Sequence, residues 1–152
     1  MRVSTQFPIA FHALLMIAHF PETRITSDMV AQSVGCNAVI IRNIFGKLKK
    51  AGLLSVKTGT GGTALAKPAE KISLWDIYKA IEADKADEIF KIHTNSSGSC
   101  PIGSNVRSIL VPHLGDALQA MKAELSKITL DRLDEELIAN LKNSHSNNFD
   151  VS

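Results

Sequence analysis

Apolar residues recur at helical spacing along most of the chain. Phe7, Ala10, Leu14, Ile17 and Ala18 give a first helix one apolar face. Ser4 or Thr5 is its N-cap, Pro8 is tolerated in the first turn, and Pro21 ends it. Thr26 or Ser27 caps a short second helix with Met29, Val30 and Val34, and Gly35 breaks it. Asn37 caps a third helix carrying Ile40, Ile41, Ile44 and Leu48, which ends at Gly52, a residue suited to a left-handed C-terminal turn. Two helices around a glycine-containing turn form a helix-turn-helix pattern. Leu53 to Lys57 then alternates as a strand, Thr58-Gly-Thr-Gly-Gly-Thr63 is a glycine-rich tip, and Ala64-Leu65-Ala66 returns. A hairpin placed directly after a helix-turn-helix is the layout of a winged helix.

Ser73 caps a fourth helix with Leu74, Ile77, Tyr78 and Ile81. Residues 84–103 read as irregular, with a loop from Asn95 to Pro101. From Ser104, the residues Val106, Leu110, Leu114, Ala117, Met121 and Leu125 line one side of a long helix, in which Pro112 predicts a kink or a broken start. Leu130, Leu133, Leu137 and Leu141 mark a last amphipathic helix. The expected class is mainly α with a small β-hairpin. Its expected parts are a winged helix-turn-helix over 1–83, a sensor or linker loop over 84–103, dimerisation helices over 104–142 and a disordered tail over 143–152.

Composition sharpens this picture only once it is divided. With 152 residues, 45% hydrophobic and 21% charged, the chain is an ordinary globular one, and its net charge of +2 points to no partner. Residues 1–28 balance at zero. Residues 29–69 contain no Asp or Glu but hold Arg42, Lys47, Lys49, Lys50, Lys57 and Lys67. The acidic excess lies wholly in residues 70–152. A basic window inside a nearly neutral chain predicts a polyanion-binding element. The apolar run from Phe7 to Phe20 is interrupted by His12 and His19 and is too short to span a bilayer, so a cytoplasmic protein with no membrane partner is expected. Two cysteines do not make a secreted disulfide framework.

A helix entering the major groove needs forked or short polar groups and no carboxylates facing phosphate. Arg42 can fork onto guanine, and Asn43 can pair with adenine edges. The expected contacts to double-stranded DNA are Ser27, Asn37, Val39, Arg42 and Asn43, with Lys47, Lys49 and Lys50 further along on backbone phosphate. Lys57, Thr58, Thr60 and Thr63 frame a hairpin tip small enough for the minor groove.

The segments Ser33-Val-Gly-Cys-Asn37, Ile41-Arg-Asn-Ile-Phe-Gly-Lys-Leu-Lys-Lys-Ala-Gly-Leu-Leu54, the wing from Thr58 to Leu65, Ile72-Ser-Leu-Trp-Asp-Ile-Tyr-Lys-Ala-Ile-Glu82 and Cys100-Pro-Ile-Gly103 resemble the Rrf family of bacterial winged-helix transcription regulators. That family includes iron–sulfur, nitric-oxide-sensing and cysteine-metabolism regulators, and the similarity covers about residues 3–135. The resemblance implies a homodimer built on the long C-terminal helix that binds an inverted-repeat operator, usually to repress it. Cluster-binding members carry three cysteines in the loop before that helix, where this chain has only Cys100. A [2Fe–2S] site needs four ligands, mostly Cys, so no cofactor is expected.

The two thiols are instead candidates for redox control. Cys36 precedes the recognition helix, whose N-terminus favours a thiolate, and Cys100 lies where a resolving thiol could sit. No nucleophile–base spacing or paired carboxylate supports an enzyme, and Gly59–Gly62 lacks the Lys and Ser/Thr of a phosphate loop. The histidines show no metal spacing. The alternative to a DNA-binding regulator is a winged-helix adaptor that binds another protein without sequence-specific DNA binding.

Overall fold

The computed structural model describes residues 4–57, 62–82, 90, 95 and 97–147. Side-chain caps fix where its short helices begin. In α2 (Ser27–Val34), Thr26 Oγ1 accepts from the Met29 N–H at 3.3 Å. In α3 (Ala38–Lys50), Asn37 Oδ1 accepts from the Val39 N–H at 2.8 Å. In α4 (Leu74–Ile81), Ser73 and Asp76 form a reciprocal capping box, with bonds of 3.1 and 3.0 Å. Each such cap is worth about 1 kcal/mol. Before them, α1 (Gln6–His19) takes its oxygen from Ser4, whose Oγ accepts from the Gln6 N–H at 3.2 Å. Gly35, at φ 81°, makes the left-handed turn between α2 and α3 that a side chain would strain.

The wing is a two-stranded antiparallel hairpin, β1 (Leu54–Val56) with β2 (Thr63–Leu65), in the register Leu54–Leu65, Ser55–Ala64 and Val56–Thr63. It is tied to the chain entering α2 by Thr63, whose N–H and Oγ1–H both donate to the Ile25 carbonyl at 3.2 and 3.0 Å. A 3₁₀ turn over Ala69–Lys71 leads into α4.

One apolar core holds these elements together: Ala10, Ala13, Leu14 and Ile17 from α1, Val30 from α2, Ile41, Ile44 and Leu48 from α3, and Ile77 from α4. Leu130 joins the same core, wholly buried. It is the first residue of α6 (Leu130–Asn147), and the entry to this helix is stitched to the entry of α4. The Leu130 N–H donates to the Ile72 carbonyl at 2.8 Å, and the Leu74 N–H to Ile128 at 2.9 Å. His19 Nδ1 lies 2.7 Å from Asp134 Oδ1, linking α6 to the end of α1. The core therefore crosses the boundary expected between residues 1–83 and 104–142.

Only α5 (Pro101–Lys127) stands apart, with no buried residue in 27. Its C-terminal half rests on Trp75 and Tyr78 through Leu118, Met121 and Leu125. Two expectations are corrected along it. The helix starts at Pro101 rather than Ser104, because a proline at the first position lacks only an N–H that would go unpaired there. It also runs continuously through Pro112, against a broken start, and the one carbonyl this leaves without a helical donor, that of Ser108, lies on an exposed stretch open to water. At the other end, α6 extends to Asn147, so residues 143–147 of the expected disordered tail are helical. Residues 148–152 lie outside the described residues.

Leu130→Ala is expected to lower unfolding free energy by about 3 kcal/mol, the cost of a cavity in a closed core. Urea titration followed by circular dichroism measures it; a loss near zero means that α6 does not help to hold the winged helix.

Candidate nucleic-acid interface

The apolar stripe of α3 decides what the helix presents outward. Ile41, Ile44, Phe45 and Leu48 point into the core, so at 3.6 residues per turn Val39, Asn43, Gly46 and Lys50 form the opposite ridge. All four are exposed, Val39 by 54%. An exposed valine on a helix ridge does nothing for the fold. The side chains of Asn43 and Lys50 likewise make no hydrogen bond or ion pair among the described residues.

Lysines two residues apart fall on different flanks of this ridge. Arg42 and Lys49 face α2 and the hairpin, where with Ser27, Gly46 and Thr63 they line a groove of about 360 Å³. Arg42 Nη2 sits 3.5 Å from Asp28 Oδ1 beside this groove, and both side chains are more than half exposed. Asp28 is the last acid before the acid-free window, and sequence alone did not mark it as a partner of Arg42. Arg24 was missed as well: a Cβ built on Gly62 would approach its Cγ to 2.7 Å, so the arginine stem lies over the base of the wing.

Lys47 turns to the other flank. Its Nζ donates to Gln6 Oε1 at 2.8 Å and to the Ile81 carbonyl at 3.5 Å, where a cation complements the C-terminus of α4. With Lys50, Lys67, Lys79, Asp76 and Glu82 it borders a second depression of about 740 Å³. Expected phosphate contacts are thus split: Lys49 and Lys50 flank or crown the ridge, while Lys47 is engaged in holding α1, α3 and α4 together.

Two further expected contacts have structural duties. Asn37 Oδ1 is occupied as the cap of α3, and the Thr63 hydroxyl as a donor to Ile25. Lys57 is exposed beyond β1, and its N–H closes the hairpin onto the Gly62 carbonyl at 3.1 Å. Thr58 and Thr60 lie outside the described residues.

Cys36 is half-buried against the core in the α2–α3 turn, and its thiol donates to the Asn37 carbonyl at 3.7 Å. Cys100 is exposed at the N-cap of α5. No cap hydrogen bond of ordinary length forms there, yet the N–H groups of Gly103 and Ile102 pointing at the sulfur hold its pKa below the ordinary thiol value. Among the described residues no three His, Cys, Asp or Glu side chains converge as metal ligands. No helix among them is long and apolar enough to cross a membrane.

A tri-helical body with an anchored hairpin, a capped second helix and an outward polar ridge on the third defines a winged helix-turn-helix protein. The sequence profile of the Rrf2 family, described as an iron-dependent transcriptional regulator, matches residues 3–136. The chain belongs to this family of transcriptional regulators. It is 31% identical over 128 residues to YwnA of Bacillus subtilis (strain 168), which carries the name of an HTH-type transcriptional regulator, with 84% of this chain and 93% of YwnA covered. Its fold matches CymR (YrzC), the global cysteine regulator of B. subtilis, at a TM-score of 0.68, 18% identity and coverage of 90% and 98%. It matches the IscR of T. potens at 0.61, 22% identity and coverage of 90% and 88%.

Iron in the family description raises the question of a metal or cluster site. The donor set does not fit one. The whole chain has two thiols, one seated in the α2–α3 turn against the core and one at the start of α5, and a protein-held cluster takes about four ligands, mostly thiolate.

Cys100 is expected to react with iodoacetamide ahead of Cys36. Because the neighbouring N–H groups favour the deprotonated form, its alkylation rate should rise with pH through a midpoint below that of a free thiol. Peptide mass spectrometry of timed reactions reads both sites, and equal rates at the two thiols count against this assignment.

Proposed function

We propose that this chain is a homodimeric, DNA-binding repressor that reads an inverted-repeat operator through the outward ridge of α3. The carrying observation is that ridge: Val39, Asn43, Gly46 and Lys50 stand exposed beside Arg42 and Lys49, and the side chains of Val39, Asn43 and Lys50 make no hydrogen bond or ion pair among the described residues. Arg42 is positioned for base edges in the major groove and Lys49 for phosphate. The hairpin beside them reaches toward the adjacent minor groove. Arg42 is held by Asp28 only through an exposed pair, an interaction worth about 1 kcal/mol or less, so it can exchange that carboxylate for a base.

Dimerisation is supported by the N-terminal half of α5. Ile102, Val106, Ile109 and Leu110 are exposed by 77, 43, 65 and 43%, and at 3.6 residues per turn they share one side of this half of the helix. A contiguous apolar strip of this kind is a protein–protein surface. A second copy of the same helix covers it and sets two recognition helices at one operator. Inverted symmetry in the operator then follows from the two-fold axis. Control by an oxidant, acting first at the exposed Cys100, completes the reading.

Selection of genomic fragments with the purified protein, with and without oxidant, tests the whole. It should recover a palindromic site, and binding insensitive to sequence would favour the protein-interaction adaptor instead. Arg42→Ala should cost about 1–3 kcal/mol of discrimination at one base pair of each half-site. Lys49→Gln should weaken all duplexes alike and make the slope of log affinity against log salt shallower by about 0.9. Separately, Ile109→Glu should give a folded monomer by light scattering, because this side chain is mostly exposed in the protomer. A dimer that survives it places the interface elsewhere.

A further inference from the structure

Gly46 lies in the middle of α3, where glycine disfavours the helix relative to alanine. Nothing within the described fold asks for it. Its φ is not positive, and beyond the backbone of its own helix a Cβ built on it meets no atom within 4 Å. Gly62 makes the contrast clear: its φ is 102° and its Cβ would collide with Arg24. The protein itself needs Gly62 and has no use for the missing side chain at Gly46.

The open space over Gly46 belongs to the groove between α3 and the hairpin, and Gly46 forms part of its floor. Its walls carry Arg42 and Lys49 on α3, Ser27 at the start of α2 and Thr63 on β2. Asp28 is the acid beside it, paired with Arg42. Val56, 40% exposed, adds an apolar wall from the hairpin. A helix in the major groove and a hairpin in the neighbouring minor groove stand on opposite sides of one sugar–phosphate strand, because that strand is what divides the two grooves. Whatever duplex these two elements straddle must pass a strand between them, over this floor.

We infer that Gly46 is the seat of that sugar–phosphate strand: its missing side chain lets the α3 backbone approach the DNA chain between Arg42, Lys49 and the hairpin. The inference rests on the DNA-binding reading above and adds a positioning residue to it. A methyl at residue 46 lifts α3 away from the strand and shortens the reach of every group on the ridge. Since the seat touches backbone and not bases, the penalty is independent of DNA sequence. Since no charge changes, the number of phosphates neutralised, and with it the salt slope, stays close to that of the native protein.

The test uses the full chain with Gly46→Ala and Gly46→Leu, assayed by fluorescence anisotropy on a selected genomic site and on a random-sequence duplex of the same length. Thermal unfolding is followed in parallel. Gly46→Ala should raise the melting temperature by about 3 °C, from the gain in helix propensity. It should also weaken binding to both duplexes by about tenfold, the loss of one good contact, with Gly46→Leu weaker still. A more stable Gly46→Ala protein that binds both duplexes like the native one overturns the inference. So does a loss confined to the selected site, which makes residue 46 a base-reading position. A lower melting temperature overturns it too, by placing the need for glycine inside the fold. A native protein that binds neither duplex removes the DNA-binding reading itself, which is a different result from native binding with indifferent variants.

Discussion

The seating of α3 is the constraint on which the rest of the molecule depends. Ile41, Ile44 and Leu48 are fully buried and Phe45 nearly so, a stripe spaced at three and four residues. Burying each such side chain contributes about 1.5–3 kcal/mol. Turning the helix by one residue, or about 100°, would expose part of this stripe and press Arg42 or Asn43 toward an apolar core. The helix therefore has one azimuth. With that settled, the ridge of Val39, Asn43, Gly46 and Lys50, the hairpin flank of Arg42 and Lys49, and the α4 flank of Lys47 are consequences and not separate facts.

The remaining elements divide into those that hold α3 and the one that does not. Ile25 holds the hairpin beside α3 by accepting twice from Thr63, so the wing is fixed at its root even though its tip is rich in glycine. Lys47 ties α3 to α1 and the end of α4. Leu130 and the His19–Asp134 contact bring α6 back onto the same body. α5 is the exception, a long helix anchored by its C-terminal half on Trp75 and Tyr78 while its apolar N-terminal half projects. Any change at Cys100, the N-cap residue of that projecting half, is thereby placed at the exposed apolar end of α5 and far along the chain from α3.

Much of this was legible in order along the chain, because caps and periodicity are local. Thr26, Asn37 and Ser73 could be named as caps since their side chains bond backbone groups two or three residues away. The hairpin followed from alternation and glycine. What was not legible depends on what packs alongside. Lys47 and Lys49 look alike in sequence; only the position of the α4 terminus separates a structural lysine from a free one. The stripe of α6 is an apolar face whichever body it meets, so its return to the winged helix could not be told from assignment to a dimer element. The early start of α5 did leave a signal: Pro101 is a good first helical residue, and Asn105 Nδ2 and Ser104 Oγ donate back to its carbonyl at 2.7 and 3.2 Å.

The pairing of Arg42 with Asp28 bears on how an acid can serve the groove proposed to face DNA. An isolated arginine there would bind any phosphate at any angle. With Asp28 3.5 Å away, the guanidinium is drawn toward the α2 side of the ridge by an exposed pair weak enough to be exchanged for DNA on the proposed reading. The same carboxylate repels a phosphate that comes too close to α2. On the proposed reading, a strand is then favoured in the middle of the groove, over Gly46 and toward Lys49, and disfavoured at its α2 edge. One carboxylate just outside a basic window thus narrows where a polyanion can lie, which charge counting along the sequence does not reveal.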